Sequence, residues 1–307
     1  MALREYLTTE VGEDWVDGLI TRREAVRRLA LLGMTASSAS ALLAACAAQI
    51  SPSPSASGPA AGSSTPAGVT GSASAASPGG VTPGEAITFP GPSGELQGFL
   101  ATATTPSGAM LVIHENRGLT DHIRSVAGRL AGDGYTSLAI DLLSEEGGSA
   151  ALGDPGNVPA ALAAASTERL VGDMAAGLTE LERRVPGAKL GIIGFCFGGG
   201  MVWTLLDAGE PRLAAAIPFY GPAPAAPDFA GDKAAVLGVY AELDGRVNAS
   251  LGTATAALEA AGLTHEMKTY PGVDHAFFND TGGRYDATQA AAAYADVLAW
   301  LGRYLAT

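Results

Sequence analysis

"KLGIIGFCFGGGMVWTLL", residues 189–206, runs from an apolar, strand-like stretch through a turn into a stretch with helical character. Its centre, "GFCFG" at 194–198, has the form glycine, any residue, nucleophile, any residue, glycine, with cysteine as the nucleophile. A strand that reverses into a helix over so few residues crowds its own backbone, and the flanking glycines remove the side chains that would clash. The turn pushes Cys196 out beyond the end of the strand. The next helix aims its N-terminal dipole and free N–H groups at the sulfur, which favours thiolate over thiol. A residue needed only for tight packing would be alanine or glycine, so Cys196 reads as a nucleophile.

Further short apolar runs lie on both sides of this turn: "AMLVIHE" (109–115), "YTSLAIDLL" (135–143), "LAAAIPFY" (213–220) and "AAVLGVYAE" (234–242). Helical patterns separate them. In 167–185 the apolar positions Leu170, Met174, Leu178, Leu181 and Val185 recur every three or four residues, with Glu168, Asp173, Glu180 and Arg184 read onto the opposite face. "RYDATQAAAAYADVLAWLGRYLA" closes the chain in the same way. This alternation predicts a mainly parallel sheet with helices on both faces, and two strands in 86–104 add an antiparallel edge.

In such sheets functional groups gather on loops beyond the carboxyl ends of the strands. Asp244 in "AELDGRVNA" and His275 in "YPGVDHAFFND" both lie just past strands and come after Cys196 in the chain. Nucleophile, acid, histidine is the chain order of α/β-hydrolases. Asp274 is a rival acid, although sequence neighbours rarely point at each other across a loop. His122 and His265 read as structural. The loop after "LVIH" starts at Glu115 and is where that fold places a second oxyanion donor.

"HENRGL", "GFCFGGG", "FYG", "AELDGRVNA" and "DHAFF" together resemble the dienelactone hydrolase family, from about residue 86 to the C-terminus. The resemblance implies an α/β-hydrolase fold in which Cys196 is the nucleophile, His275 the base, Asp244 its orienter and Glu115 the carboxylate that pairs with the resting thiol. It also implies that the backbone N–H groups of Phe197 and Asn116 form the oxyanion hole. Small-molecule esters or lactones are the implied substrates, with no metal and no organic cofactor. Members acting on dienelactone hold its carboxylate with arginines, one of them four positions after the histidine, where this chain has Asn279. Arg117 is the nearest candidate for an anion contact and Tyr220 a candidate for the pocket wall. A binding protein on the same fold without turnover is the alternative reading, and a thiol redox protein a weaker one, since no resolving cysteine is at hand.

The front of the chain differs in kind. Residues 1–45 have the layout of an export signal: paired Arg22 and Arg23, resembling a twin-arginine signal, then an apolar stretch from Leu29. "LAAC", residues 43–46, resembles a bacterial lipoprotein box, which makes Cys46 the lipidated first residue of a mature, exported protein tethered to the outer face of a membrane. Residues 46–84 are almost wholly Ser, Ala, Gly, Pro and Thr, a composition that cannot bury enough apolar surface to order itself. They read as a disordered tether spanning about 35 Å. This leaves 85–307 as one domain, expected to be monomeric. A formal charge of −13 argues against nucleic acid as a partner. With Cys46 lipidated, Cys196 is the one remaining cysteine and has no disulfide partner.

Overall fold

The computed structural model describes residues 3–48 and 80–306. Most of the stretch read as a tether, 49–79, lies outside the described residues. The helices and strands, in chain order, are α1 (Leu3–Val16), α2 (Arg22–Leu31), α3 (Ala36–Ala48), β1 (Gly84–Pro90), β2 (Glu95–Ala101), β3 (Gly108–Ile113), α4 (Asp121–Gly132) and β4 (Tyr135–Asp141). Next come α5 (Val158–Ala164), α6 (Thr167–Arg184), β5 (Leu190–Phe195), α7 (Phe197–Asp207), β6 (Leu213–Phe219), β7 (Ala235–Ala241), α8 (Gly245–Asn248), α9 (Leu251–Ala261), β8 (His265–Tyr270) and α10 (Ala287–Tyr304).

The strands form one eight-stranded sheet in the order β1-β2-β4-β3-β5-β6-β7-β8. From β4 to β8 the pairing is parallel, and the β1–β2 hairpin joins antiparallel to β4, as the sequence predicts. Every residue of β3, β4, β5 and β7 is buried, which is why these strands read as unbroken apolar runs: helices cover both faces. Ahead of β1, the Thr82 N–H donates to the Gly128 carbonyl at 2.9 Å.

Helix α6 presents the expected stripe of Leu170, Met174, Leu178 and Leu181 to the core, but its opposite face is not all solvated. Asp173 and Glu180, read as solvent-facing, are buried. Arg183 and Arg184 clasp the Glu180 carboxylate at 2.7 and 2.6 Å. Asp173 faces Arg169 at 3.7 Å, and its burial pushes its carboxyl up to about 6. A helix pattern shows which residues share a face; it does not show what a neighbouring loop folds over.

Residues 3–48 form a helical unit packed on the domain. Leu7 and Val11 of α1, Ala25 and Leu29 of α2, and Ala39 and Leu43 of α3 are buried in the same apolar cluster as the sheet. Thr21 caps α2 by accepting from the Glu24 N–H at 3.2 Å. Arg27 then ties α2 to the loop before α5 through Asp154 at 2.7 Å and Asn157 at 3.1 Å. Among the described residues no helix is long and apolar enough to cross a membrane.

Candidate active site

The elbow is built where β5 turns into α7. Cys196 sits at φ 57°, ψ −117°, a conformation that costs a non-glycine residue about 1–3 kcal/mol and persists only where its surroundings enforce it. The enforcement is visible: the Cys196 N–H donates to the Phe219 carbonyl at 3.0 Å, and its own carbonyl accepts from Gly200 at 3.1 Å. A Cβ on Gly198 would collide with the carbonyls of Ile113 and His114, and one on Gly194 with the backbone of Gly198. The glycines that flank the cysteine therefore let α7 start against the end of β3, which brings the Glu115–Asn116 loop to the sulfur.

Asp244 lies just past β7 and His275 just past β8. Asp244 Oδ1 accepts the Val247 N–H at the start of α8 at 3.0 Å, and this leaves Oδ2 to meet His275 Nδ1 at 2.6 Å. Both side chains are buried. The rival acid is engaged elsewhere, since Asp274 accepts the backbone N–H of His275 at 2.7 Å. A ring nitrogen of His275 and Cys196 Sγ lie within 4.8 Å of each other. Burial alone would lower the His275 imidazole, but the charges of Glu10, Cys196 and Asp244 outweigh it and hold the ring well above its usual value. The Cys196 thiol is pushed up, first by burial and then by Glu10, with His275 opposing.

Phe197 is the first residue of α7, so its backbone N–H has no acceptor within the helix. Asn116 lines the same small cavity as Cys196, His275 and Glu115. These are the positions expected of two oxyanion donors.

Two expectations, at Glu115 and Tyr220, differ from the structure. Glu115 is beside the thiol, but its Oε2 accepts from Asn279 Nδ2 at 2.5 Å, and the carboxylate in hydrogen-bond reach of the sulfur is Glu10 of α1, at 3.6 Å. Asn279 thus orients Glu115 where an arginine was looked for. Tyr220 is not among the residues lining the cavity: it is fully buried at φ 34°, with its ring edge-on to His275 at 5.1 Å between centroids. Arg117 lines the small cavity beside Cys196, half exposed, and faces Asp14 of α1 at 4.0 Å. His122 and His265 are tied to Asp280 and to the Leu263 carbonyl, structural partners as read.

The residues missed by sequence reasoning come from α1 and from two arginines. The Tyr6 hydroxyl is 3.1 Å from Cys196 Sγ, and Glu10 Oε1 is 3.4 Å from His275 Nε2. Arg246 pairs with Glu10 and holds Glu13 at 2.9 Å, with its guanidinium 4.6 Å from the Tyr6 ring. Arg284 holds Asp17 at 2.5 Å and Asp14 at 3.6 Å. One signal was available: an export signal opens with positive charge, whereas "REYLTTEVGEDWVDG" is acidic, and Glu10, Asp14 and Asp17 share one helical face. Glu10, Cys196 and His275 are also the group of three possible metal ligands found among the described residues. Arg246 already neutralises Glu10 and Asp244 already holds His275, so α1 lies across a cluster whose charged groups have partners.

Sheet order, elbow and the acid–histidine loops define an α/β-hydrolase. Residues 96–305 match the model of the dienelactone hydrolase family, and the chain belongs to that family. A carboxymethylenebutenolidase-like relative from Saccharolobus solfataricus is 30% identical over 244 residues, covering 68% of this chain and 94% of the relative. One from Escherichia coli strain K12 is 31% identical over 212 residues, covering 65% and 78%. Among solved structures, a dienelactone hydrolase-like protein from Klebsiella pneumoniae superposes with a TM-score of 0.64 at 26% identity, covering 72% of this chain and 98% of its own. The protein is a hydrolase, and its family match begins well after α1–α3.

Proposed function

We propose that the domain hydrolyses carboxylic esters or lactones through a Cys196–His275–Asp244 triad. The observation that carries this reading is the 2.6 Å bond from Asp244 to His275 Nδ1, which turns Nε2 toward a sulfur held on a strained elbow at a helix N-terminus. His275 takes the Cys196 proton as the sulfur attacks the carbonyl carbon, and the resulting oxyanion is received by the Phe197 and Asn116 N–H groups. Collapse expels the alcohol oxygen, which takes the proton back from His275, and leaves a thioester on Cys196. Water, deprotonated by His275, then attacks the thioester and releases the acid and the free thiol. Neither step needs a metal or an organic cofactor. Asn279 in place of an arginine leaves the acyl group open and argues against dienelactone itself.

The test is a panel of aryl esters, lactones and thioesters given to the full chain, unaltered and with Glu13→Arg/Asp17→Arg to loosen α1 from Arg246 and Arg284, with Cys196→Ala added in each background and mass spectrometry of the Cys196 peptide. An acyl adduct on Cys196 together with loss of turnover in the variant is expected. Equal turnover in Cys196→Ala would sink the mechanism.

The paired arginines and "LAAC" support export and lipidation at Cys46. Lipidation there would require α3, which carries Cys46, to leave its docked helical form. Globomycin treatment of a bacterial host should make an unprocessed precursor accumulate; no accumulation would argue against the lipoprotein route.

A further inference from the structure

We propose that α1 is an internal inhibitor: the N-terminal segment closes the site, and the chain becomes an active hydrolase only when α1 leaves it. The inference rests on the catalytic reading of Cys196 given above and adds its regulation.

Space is the first constraint. With α1 in place, the cavity at Cys196 and His275 is about 40 Å³, room for a few water molecules, whereas sites for small-molecule ligands span about 300–1,000 Å³. An ester cannot place its carbonyl on the sulfur in that volume. A second cavity of about 270 Å³, lined by Phe197, Met201 and Pro222 of the domain and by Leu3 and Tyr6 of α1, lies next to it. Tyr6 stands between the two: its ring walls the larger space and its hydroxyl meets Cys196 Sγ. Removing α1 takes away both α1 walls and joins an apolar pocket to the nucleophile.

Chemically, α1 engages the nucleophile and the base together. Tyr6 and Glu10 occupy the sulfur's hydrogen-bonding directions, and Glu10 faces the base nitrogen of His275. A carboxylate at 3.4 Å from Nε2 favours the protonated imidazole, which cannot accept the thiol proton. The same carboxylate disfavours a thiolate.

The way α1 is held points in the same direction. Three arginines at the rim, Arg117, Arg246 and Arg284, face an acidic stripe made of Glu10, Glu13, Asp14 and Asp17. α1 is therefore matched to the rim in charge and to the triad in hydrogen bonding, while Leu7 and Val11 bury its apolar side. Arg22 and Arg23 stay exposed on the docked segment, where export machinery could read them. The segment that closes the site is the one that the export reading removes.

The test uses the full chain with Glu13→Arg/Asp17→Arg, which sets like charges against Arg246 and Arg284 from positions one-third exposed, and Leu7→Asp as an independent opening variant. Two rates are read: ester hydrolysis, and alkylation of Cys196 by iodoacetamide monitored on its own peptide, so that Cys46 does not contribute. Closure predicts that both rates rise about tenfold or more in either variant. If alkylation rises and no chain hydrolyses any ester, closure stands and the catalytic reading fails. If neither rate changes in either variant, or if alkylation rises while hydrolysis falls below that of the unaltered chain, α1 is not an inhibitor and the proposal is overturned.

Discussion

Two regions of this molecule place side chains on the same sulfur, and they do so by opposite means. His275 stands beside Cys196 on a loop after β8 and is held at 2.6 Å by Asp244 on the loop after β7, connections off neighbouring strands of one sheet. Tyr6 and Glu10 reach the sulfur from a helix nearly 190 residues away in sequence, held by ion pairs and a small apolar face. The first arrangement is part of the sheet and cannot leave without unfolding it. The second is a docked surface: its outer ion pairs, through Glu13, Asp17 and Arg117, are partly solvated and contribute little each, so that releasing α1 means chiefly separating the buried Glu10–Arg246 pair and its small apolar face.

The largest effect is expected at the sulfur, where both regions meet. Cys196→Ala should lower ester hydrolysis by about four orders of magnitude or more while leaving the fold intact by circular dichroism. Asp244→Asn should cost about a thousandfold in kcat, because the amide presents the wrong partner to His275 Nδ1 and the ring loses its orientation; a change of less than tenfold would mean another group orients the ring. The elbow gives the next largest effect. Gly198→Ala sets a methyl against two carbonyls of the β3 end, and should destabilise the domain by about 1–3 kcal/mol as read by denaturant midpoint.

Glu10→Gln probes the same contrast from the α1 side. His275, whose burial is outweighed chiefly by Glu10 in the closed state, favours closure below its unperturbed value of about 6.5 and surrenders that contribution as pH rises through the raised value. Removing the carboxylate lowers both the imidazole and the thiol, so the acid limb of the kcat/KM profile should move to lower pH in the full chain. In Glu13→Arg/Asp17→Arg, where α1 has left, the same substitution should move nothing. The smallest effect belongs to Tyr6→Phe, which removes one hydrogen bond to the sulfur and should speed Cys196 alkylation about fivefold.

The domain was legible from its residues because its signals are local. Buried strands read as apolar runs, α6 as a stripe at helical spacing, and the elbow as two glycines around a cysteine, and each fell within a few residues of its place. That Cys196, Asp244 and His275 end up near one another was legible because a parallel sheet gathers the loops at the carboxyl ends of its strands on one side. Tyr220 shows the limit of that rule: it sits at the end of β6 yet turns inward behind His275, since its backbone N–H is drawn to the Val239 carbonyl at 2.7 Å. Glu115 shows another, because Asn279, distant in the chain, holds its carboxylate at 2.5 Å.

The N-terminal residues carry two readings at once. Their arginine pair and apolar stretch are signals of composition, visible without a fold. Their acidic face has meaning only once the sheet has set Arg246 and Arg284 on one rim, and no spacing within residues 1–45 contains that information. The sheet, the elbow and the chain order of Cys196, Asp244 and His275 were written in the residues themselves, since they depend on local periodicity and backbone sterics. Which carboxylate meets the thiol, and what closes the site, emerged from the folded molecule alone, since both depend on surfaces that come together after the chain has folded.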